Sequence, residues 1–480
     1  MFREIPTYEN GQWDVTTFYT REELRDFLLS IFKEPGKYNF NESSKIFNEE
    51  GRKFQKQGYY CAAPVKTKDF IAYWNDQKAK CRNGIIVKDG DQKWYISRDY
   101  YMWLNFLPIY DKEEKRFDFA KVRDAQYHMA LYEHLAELHW KHAIILKKRQ
   151  IASSYFHMAK LINQWVFEEG AILKIGASLK DYINEKGSWK FLNEYRNFLN
   201  EHTAWYRPAE PDKVGAWNQQ IKVRVNNRDT YRGLKSTINL YSFEKDPTHG
   251  VGGPVTYFFH EEGGIAPKMN DTYGFMKPAL KSGHIITGQF IAAGSVGDLD
   301  QCEPMKEYIY HPEENGFYGV QSNLIDKDGA PGVIGLFIPE QWSMPPYIDQ
   351  HGNSLVKEAL EALDKEFEKM KKDLDPGAYQ LTISQHPRTL EEAFATRKVS
   401  VFPPHLVARQ MQRIQDKEYP VEYLELSRND EGKIIDKPSR KIPIMEFPLS
   451  KKTEDKEGVL CIYERPSKDP QFGTYYASVD

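Results

Sequence analysis

The sequence predicts an α/β fold in which a mostly parallel sheet is flanked by helices. Four short apolar runs alternate with segments whose apolar residues recur at helical spacing, a pattern typical of βαβ units. The first run leads into a basic loop and a helix, and the third ends in two acids and two glycines. These features indicate a nucleotide-binding domain of the P-loop type. The four predicted strands are residues 143–146, 171–175, 255–259 and 285–293.

The chain before this domain reads as a separate N-terminal lid or adaptor region over residues 1–118. A capping box from Thr20 to Glu23 predicts the start of a helix. Two short apolar runs separated by Asp89 and Gly90 predict a β-hairpin over residues 84–97.

The P-loop domain is predicted over residues 119–402, and a linker rich in Lys, Glu, Asp and Pro follows over 403–472. Residues 473–480 are an apolar strand that ends on Asp480. We therefore expect a further domain to begin at this strand.

Composition narrows the class of protein. The chain has 66 Lys and Arg against 69 Asp and Glu, a net charge of −3. Any positive charge that contacts nucleic acid must therefore be local or be supplied by a ring of subunits. No apolar run approaches the roughly 18 residues of a membrane span, and the N-terminus lacks the pattern of a secretory signal. The four cysteines are far apart in sequence, which favours reduced thiols over a disulfide framework or a zinc site.

The loop after the first strand carries the residue types that a triphosphate needs. Close backbone approach requires a small residue, which Ala152 provides, and a Mg²⁺ ligand requires a hydroxyl, which Ser154 or Ser153 provides. Lys147 and Arg149 supply positive charge. Taken alone, a basic turn without a ligand explains the loop equally well, because the glycine and lysine of the usual consensus are absent.

The third strand ends in Glu261 and Glu262, which have the form of a Walker B motif. In that motif the first acid orients hydrated Mg²⁺ and the second polarises the attacking water. An exposed acid pair at a strand end is the simpler interpretation. The position of this pair after a P-loop candidate, in an alternating α/β region, favours the functional one.

Two weaker signals complete the predicted site. The fourth strand ends at Gly294 and Ser295, where a motor ATPase can sense the γ-phosphate, although a core strand with a tight turn would look the same. Gln126 begins the helix before the P-loop strand, beside Tyr127, and can read the edge of an adenine. A plain surface helix is an equally good interpretation of Gln126.

These residues together resemble the large terminase subunit of tailed bacteriophages, the DNA-packaging motor. Arg149 and Gln150 stand where that family has Arg-Gln before its glycine, and Lys147 stands where some members place the lysine. Glu261 and Glu262 look like its Walker B acids, and Gly294 and Ser295 look like its coupling motif. The similarity extends over about residues 95–480.

The most specific match is the run from His386 to Phe394, which contains Glu-Glu-Ala-Phe and is followed by Val401 and Phe402. It resembles a signature at the end of the terminase ATPase domain. The strand that ends on Asp480 is similar to the first strand of the family's RNase-H-like nuclease, with Asp480 as its first metal-binding carboxylate. Because such nucleases need several carboxylates, we expect no DNA cleavage by this chain alone.

The resemblance implies an ASCE-type ATPase that uses ATP and Mg²⁺. It places ATP on Lys147 or Lys148, Gln150, Ala152, Ser153, Ser154 and Gln126, with Ser154 and Glu261 at the metal and with Arg149 and Glu262 catalytic. The implied partners are double-stranded DNA, the portal protein of the procapsid, the small terminase subunit and further copies of the chain in a pentameric ring. The implied location is the cytoplasm of the infected bacterial host and, transiently, the portal vertex.

The sequence departs from the family pattern in two ways, which keep alternatives open. Ala152 and Ser153 replace the Walker A glycine and lysine, and the first Walker B acid is Glu261 rather than the commoner aspartate, a mild change. A scaffold with a degenerate P-loop, which binds nucleotide without hydrolysing it, is one alternative; a helicase-like ATPase is the other. Arg228 or Arg232 can be a catalytic group that acts across a subunit boundary, although a solvated arginine is the simpler interpretation.

Overall fold

A computed structural model describes residues 3–112, 114–250, 252–297, 299–325 (backbone only at 299 and 300), 332–395, 421–441, 443, 458–463 and 465. The chain divides into two compact units, residues 1–397 and 398–480. The first unit contains both the predicted lid region and nearly all of the predicted P-loop domain, and the whole of the predicted linker falls within the bounds of the second. No helix in these described ranges is long and apolar enough to cross a membrane.

The N-terminal part of the first unit is a small mixed sheet covered by helices. The predicted capping box is present: Oγ1 of Thr20 accepts a hydrogen bond from the backbone N–H of Glu23 at 3.1 Å. The predicted hairpin is also present, as β3 and β4. The elements of this part are β1 (Arg3–Glu9), β2 (Gln12–Phe18), α1 (Arg21–Ile31), α2 (Glu49–Gln57), α3 (Lys68–Asn83), β3 (Ile85–Asp89), β4 (Gln92–Ile96), α4 (Arg98–Phe106), β5 (Ile109–Asp111) and β6 (Arg116–Asp118).

The middle of the first unit alternates strands and helices, as the sequence predicts. Its elements are α5 (Asp124–Leu138), β7 (Ala143–Lys147), α6 (Ser153–Phe167), β8 (Ile172–Ala177), α7 (Ser188–His202), β9 (Asp212–Lys213), β10 (Ala216–Asn218), β11 (Ile221–Val225), β12 (Arg228–Arg232), β13 (Thr237–Ser242), β14 (Tyr257–Glu261), α8 (Met269–Met276), β15 (Lys281–Ser282), β16 (Ile285–Ile286) and β17 (Gln289–Gly294).

The later elements of the first unit are α9 (Leu299–Tyr310), β18 (Val320–Ser322), β19 (Gly332–Ile334), β20 (Leu336–Ile338), α10 (Val356–Asp373), α11 (Pro376–Gln385) and α12 (Leu390–Ala393). The second unit contains a three-stranded antiparallel sheet of β21 (Glu422–Arg428), β22 (Ile434–Pro438) and β23 (Leu460–Ile462), in the order β22-β21-β23. The predicted strand over residues 473–480 lies outside the described residues, as do Val401 and Phe402.

Eight strands form the central sheet in the order β20-β7-β17-β14-β8-β13-β10-β9. Neighbours from β20 to β13 pair in parallel, and the short strands β10 and β9 add an antiparallel edge. Strand β7 leads into the P-loop candidate, and β8 is the next strand along the chain. The two are not neighbours in the sheet, because β17 and β14 lie between them. One strand separates β7 from the acid-bearing β14, so the fold is an α/β P-loop fold of the ASCE type.

Both faces of this sheet are buried, which explains why its strands are continuous apolar runs rather than alternating ones. Ala143 and Ile145 of β7 pack in the core that contains α5 and α6. Ile144 and Leu146 pack in a second core on the other face, with α8 and α9. The period of two residues along β7 therefore assigns alternate side chains to the two helical layers.

The predicted strand over 285–293 is wrong in one respect, because it forms two elements. The chain breaks at Thr287 and Gly288, between β16 and β17. A Cβ atom on Gly288 would lie 2.0 Å from the carbonyl oxygen of Val255, so the chain turns there against a neighbouring backbone.

The N-terminal part is fixed to the central sheet by a buried carboxylate at the start of α5. Asp124 accepts hydrogen bonds from Gly36 N at 2.6 Å, from Ser343 Oγ at 3.0 Å and from Ser354 N at 2.8 Å. Because these donors come from the lid region and from the loop after β20, one side chain ties both segments to the helix that carries Gln126.

Candidate functional site

The carboxyl ends of β7, β17 and β14 meet at one edge of the sheet. In the register of these strands, Gly294 pairs with Leu146, and Ala293 pairs with Glu261. Ligands of open α/β sheets bind at this edge. The fold thus gathers the basic loop, the two acids and Ser295, which are far apart in sequence.

The loop between β7 and α6 contains two non-glycine residues in the left-handed region of backbone space. Gln150 has φ 64° and Ala152 has φ 59°. This conformation costs an L-residue with a Cβ about 1–2 kcal/mol, which is why glycine usually occupies it. Ala152 therefore adopts the conformation expected of the missing glycine, at the residue that immediately precedes α6.

The first turn of α6 leaves its N–H groups open to an anion. No side chain of the described residues caps this helix, and its first turn carries no acidic residue. Uncapped N–H groups and the positive end of the helix dipole favour a negatively charged group at this position. The predicted phosphate site is consistent with this local geometry.

Lys147 and Lys148 point in different directions because they are neighbours on an extended segment. Nζ of Lys147 lies 3.6 Å from Oε1 of Glu262, within the predicted site. Nζ of Lys148 instead donates to the backbone carbonyls of Glu340 at 2.9 Å and Ser343 at 3.3 Å. Burial lowers the pKa of Lys148 to about 8, and the nearby Glu340 carboxylate partly offsets this effect.

Glu261 is buried and accepts two hydroxyl hydrogen bonds. Oγ of Ser154 donates to Oε1 at 2.8 Å, and Oγ of Ser188 donates to Oε2 at 2.5 Å. Burial and the adjacent Glu262 raise the pKa of Glu261, against the two hydroxyl groups and Lys147, which lower it. A cation beside this carboxylate would favour its ionised form.

Ser154 and Glu261 fit a Mg²⁺ ion that is also held by phosphate oxygens. Mg²⁺ in nucleotide sites is bound by one or two protein oxygens and by the substrate's phosphates rather than by a protein cage. The described residues contain no group of three or more His, Cys, Asp and Glu side chains that could hold a metal ion.

Glu262 lies between the P-loop strand and the coupling strand. Its Oε1 faces Lys147, and its Oε2 accepts a hydrogen bond from the backbone N–H of Ser295 at 3.4 Å. Its side chain is 26% exposed, whereas Glu261 is 2% exposed, so Glu262 is the acid that solvent can reach. Its backbone is left-handed, with φ 49°.

The glycines that follow the acids allow two backbones to approach each other closely. A Cβ atom on Gly294 would lie 2.3 Å from N of Gly264, and a Cβ atom on Gly264 would lie 2.1 Å from the carbonyl oxygen of Ser295. Neither position accommodates a side chain without movement of the backbone. The backbones at the end of β17 and in the loop after Glu262 are therefore in direct contact.

A cavity of about 420 Å³ adjoins the P-loop. Gln126 lies in its wall and is buried; its Nε2 donates to the carbonyl oxygen of Ile151 at 3.1 Å. Its Oε1 has no hydrogen-bond partner among the described residues. Tyr110 and Tyr155 line the same cavity, and the exposed Arg149 lies at its edge.

Ser153 belongs to a buried polar network that the sequence did not reveal. Its Oγ lies 3.1 Å from Nδ1 of His157, whose Nε2 lies 2.8 Å from Oε1 of Glu133. Nζ of Lys160 lies 2.8 Å from the other oxygen of Glu133. Since Ser153 is engaged with His157, Ser154 is the hydroxyl that faces Glu261. Ser188, at the start of α7, is the other residue of the site without a signal in the sequence.

The signature from His386 to Phe394 is mostly structural. Leu390, Ala393 and Phe394 are buried in the second core, and Arg388 forms hydrogen bonds with Glu392. Of the described residues of this run, His386 lines the cavity that Arg149 also lines, and the carboxylate of Glu340 at 3.3 Å raises its pKa.

No family model matches the sequence, and no curated protein is similar to it at a significant level. Solved structures similar to the chain include the ATPase domain of the large terminase of Thermus phage P74-26, with 9% identity and a TM-score of 0.33 over 52% of this chain and 88% of that one. They also include the bacteriophage HK97 large terminase, with 11% identity and a TM-score of 0.33 over 67% and 63% of the two chains. A third is the Phi-28 gp11 DNA packaging motor, with 11% identity and a TM-score of 0.29 over 63% and 77%. This chain is thus similar to large terminases, the family that its motifs resemble.

Proposed function

We propose that this chain is the ATPase part of a DNA-packaging motor, which hydrolyses ATP to move double-stranded viral DNA into a procapsid. The observation that carries the proposal is the position of Glu262 between Lys147 and Ser295. The carboxylate of Glu262 contacts the ammonium group of Lys147, at the end of β7, and the backbone N–H of Ser295, just after β17. A site of this kind can link phosphate chemistry to movement of the chain.

ATP is the substrate that the residues around the loop fit best. Its triphosphate would lie against the uncapped first turn of α6, with Lys147 and Arg149 near its negative oxygens. Lys147 takes the place of the Walker A lysine from the front of the loop, and Arg149 stabilises charge on the transferred phosphoryl group. The cavity that Gln126 lines holds the base, where Oε1 of Gln126 can accept a hydrogen bond from the adenine amino group.

Glu262 is the general base for the attacking water. It is accessible, and the triphosphate offers Lys147 a more negative partner than the glutamate does, which leaves Glu262 available to accept a proton. Ser154 and Glu261 would hold Mg²⁺, which neutralises charge on the phosphate oxygens. The backbone at Gly294, at the end of β17, is in close contact with the backbone at Gly264, in the loop after Glu262. A shift of Glu262 is transmitted to β17 through this contact.

The motor's partners follow from the motif resemblance. They are double-stranded DNA, the portal protein of the procapsid, the small terminase subunit and further copies of this chain in a pentameric ring. The chain would act in the cytoplasm of the infected bacterium and, during packaging, at the portal vertex. A nuclease that begins at the strand with Asp480 belongs to the same proposal.

Hydrolysis of ATP by the full chain, with Mg²⁺ and duplex DNA, tests the proposed site. We expect Glu262→Gln to lower turnover about a hundredfold or more, because a general base contributes 10²–10⁴-fold, while ATP still binds. Glu368→Gln, at an exposed position of α10, makes the same chemical change and should leave turnover unaltered. Equal turnover in wild type and Glu262→Gln would contradict the assigned role.

A nucleotide-binding scaffold is the second candidate, and one observation favours it. The loop has neither glycine nor the usual lysine, and its backbone is strained at Gln150 and Ala152. Binding of ATP without hydrolysis by the wild-type chain, at high concentration and with DNA, would favour the scaffold.

A further inference from the structure

A β-hairpin with a basic surface projects from the edge of the central sheet. Among the described strands, β11 and β12 form a separate two-stranded sheet, from Ile221 opposite Arg232 to Val225 opposite Arg228. The two residues between them, Asn226 and Asn227, have φ values of 50° and 62°. Two positive φ values in a two-residue loop define a type I′ turn, whose twist matches that of the strands.

The hairpin is exposed and unusually basic for this chain. All five residues of β12 and four of the five in β11 are exposed. The hairpin carries Lys222, Arg224, Arg228 and Arg232 against one acid, Asp229, whereas the whole chain has a net charge of −3.

Among the residues that the structure describes, the three arginines have no counter-ions. Asp229 lies 2.7 Å from Nζ of Lys222 and is therefore engaged. The guanidinium groups of Arg224, Arg228 and Arg232 have no hydrogen-bond or ion-pair partner in the described part of the chain. Arg228 and Arg232 lie on one face of the ribbon and Arg224 on the other, because side chains alternate along a strand.

The base of the hairpin is attached to the central sheet by backbone contacts, which fix the direction in which the hairpin leaves the sheet. Gln219 is buried, and its backbone N–H donates to the carbonyl oxygen of Ser236 at 2.8 Å. A Cβ atom on Gly233 would lie 2.4 Å from the carbonyl oxygen of Gln219, so the two strands are in close contact where they leave the body.

The anchor lies at the amino edge of the sheet, away from the nucleotide site. Thr237, which starts β13 after the hairpin, pairs with Ile172 at the start of β8. The P-loop and the acids lie at the carboxyl ends of the parallel strands. Six-residue strands separate these edges by about 20 Å, so the arginines are distant from the ATP site of their own chain.

We propose that the hairpin Ile221–Arg232 is a contact between this chain and the phosphate backbone of duplex DNA. Unpaired guanidinium groups bind phosphate oxygens, and a two-stranded β-ribbon has the width to enter the major groove. The choice of duplex DNA as the polyanion rests on the proposed function. The charge and the projection of the hairpin do not depend on it.

Duplex binding by the full chain without ATP, measured by fluorescence anisotropy between 50 and 200 mM salt, tests this contact. We expect the triple variant Arg224→Ala, Arg228→Ala, Arg232→Ala to bind a labelled 30-base-pair duplex at least tenfold more weakly at about 100 mM salt. The slope of log affinity against log salt should fall by about 2–3, since each phosphate contact contributes about 0.9.

Two further variants separate a local contact from loss of charge or folding. Lys365→Ala, Lys369→Ala, Lys372→Ala removes three exposed charges from α10 and should change affinity less than twofold. Asp229→Asn releases Lys222 and removes the acid, so it should raise affinity, a result that misfolding cannot produce.

Wild-type affinity and salt slope in the arginine triple variant would overturn the proposal. So would normal DNA binding combined with loss of ATP turnover, which would place the arginines at a neighbouring subunit's nucleotide. DNA binding is measured without ATP, so it is independent of ATP hydrolysis. If the wild-type chain does not hydrolyse ATP but the triple arginine variant binds DNA more weakly, the proposed ATPase activity is refuted and the proposed DNA contact is supported.

Discussion

The carboxyl and amino edges of the central sheet differ in the burial and pairing of their charged side chains. At the carboxyl edge, Lys147 is paired with Glu262 and Glu261 is buried and bonded to Ser154, and Arg149 is the exposed charge of the loop. At the amino edge, the arginines of the hairpin are exposed and have no partner among the described residues. Preorganised polar groups suit chemistry on a small ligand, whereas exposed mobile charges suit a large polyanion. The comparison indicates two functions on one sheet, and substitutions at each edge can break or sharpen it.

The largest effect should come from filling the close backbone contact at the carboxyl edge. Gly294→Ala places a methyl group 2.3 Å from N of Gly264, and such overpacking costs about 1–3 kcal/mol. We expect a lower free energy of unfolding and at least a tenfold loss of ATP turnover, measured by denaturant titration and a coupled assay. Gly274→Ala, in an open position of α8, should be neutral or stabilising.

At the amino edge, Arg228→Ala should change the free energy of unfolding by no more than about 0.5 kcal/mol, because the residue is exposed. A destabilisation as large as that of Gly294→Ala would contradict the distinction between the edges.

Substitution of each of the two adjacent lysines should distinguish a role in ATP turnover from a role in stability. Lys147→Ala removes the cation beside Glu262, and we expect turnover to fall more than tenfold, about 1.4 kcal/mol in activation free energy. Lys148→Ala leaves the carbonyls of Glu340 and Ser343 without their donor, so it should lower stability by about 1–3 kcal/mol and reduce turnover less. The reverse pattern, with turnover abolished only by Lys148→Ala, would show that Lys148 is the P-loop cation.

Ala152→Gly should stabilise the chain by about 1 kcal/mol and preserve turnover. The substitution relieves the left-handed strain of Ala152 at φ 59°. Ala159→Gly, in the interior of the same helix, is the matched control and should cost about 1 kcal/mol because glycine has more freedom in the unfolded chain. Thermal denaturation of both variants distinguishes backbone strain from general tolerance of glycine.

Stability should also depend on pH through Lys148. Its pKa in the folded chain is about 8, below its usual value, so the unfolded chain binds its proton more tightly. The contribution of Lys148 to stability should therefore rise with pH above about 8, by at most about 1.4 kcal/mol per pH unit. Unfolding of wild type and Lys148→Met at pH 7.5 and 9.5 should show this rise only in wild type. A parallel pH response in both proteins would contradict it.

The sequence was sufficient to find the carboxyl edge because its residues lie in contiguous motifs at the ends of apolar strands. The strands with Lys147 and Glu261 are buried on both faces, which leaves continuous apolar runs. The spacing of residues could not show which lysine faces the acids, because that depends on which way each side chain points from the extended segment. It also could not show which serine faces Glu261, because that depends on the contact between Ser153 and His157.

The amino edge could not be read in the same way. Lys222, Arg224, Arg228 and Arg232 are interspersed with other residues and form no basic run. Only the turn at Asn226 and Asn227 and the resulting register bring them onto one ribbon. The Asn-Asn pair between alternating side chains was the signal that could have predicted the hairpin.

The most direct test of the two-edge account is the ATP turnover of three proteins with and without duplex DNA: wild type, Glu262→Gln and the triple arginine variant of the hairpin. We expect DNA to stimulate wild type, the hairpin variant to keep its DNA-free rate and lose the stimulation, and Glu262→Gln to lose both rates. A hairpin variant whose DNA-free rate falls as far as that of Glu262→Gln would contradict the separation. So would a hairpin variant that DNA stimulates as strongly as wild type.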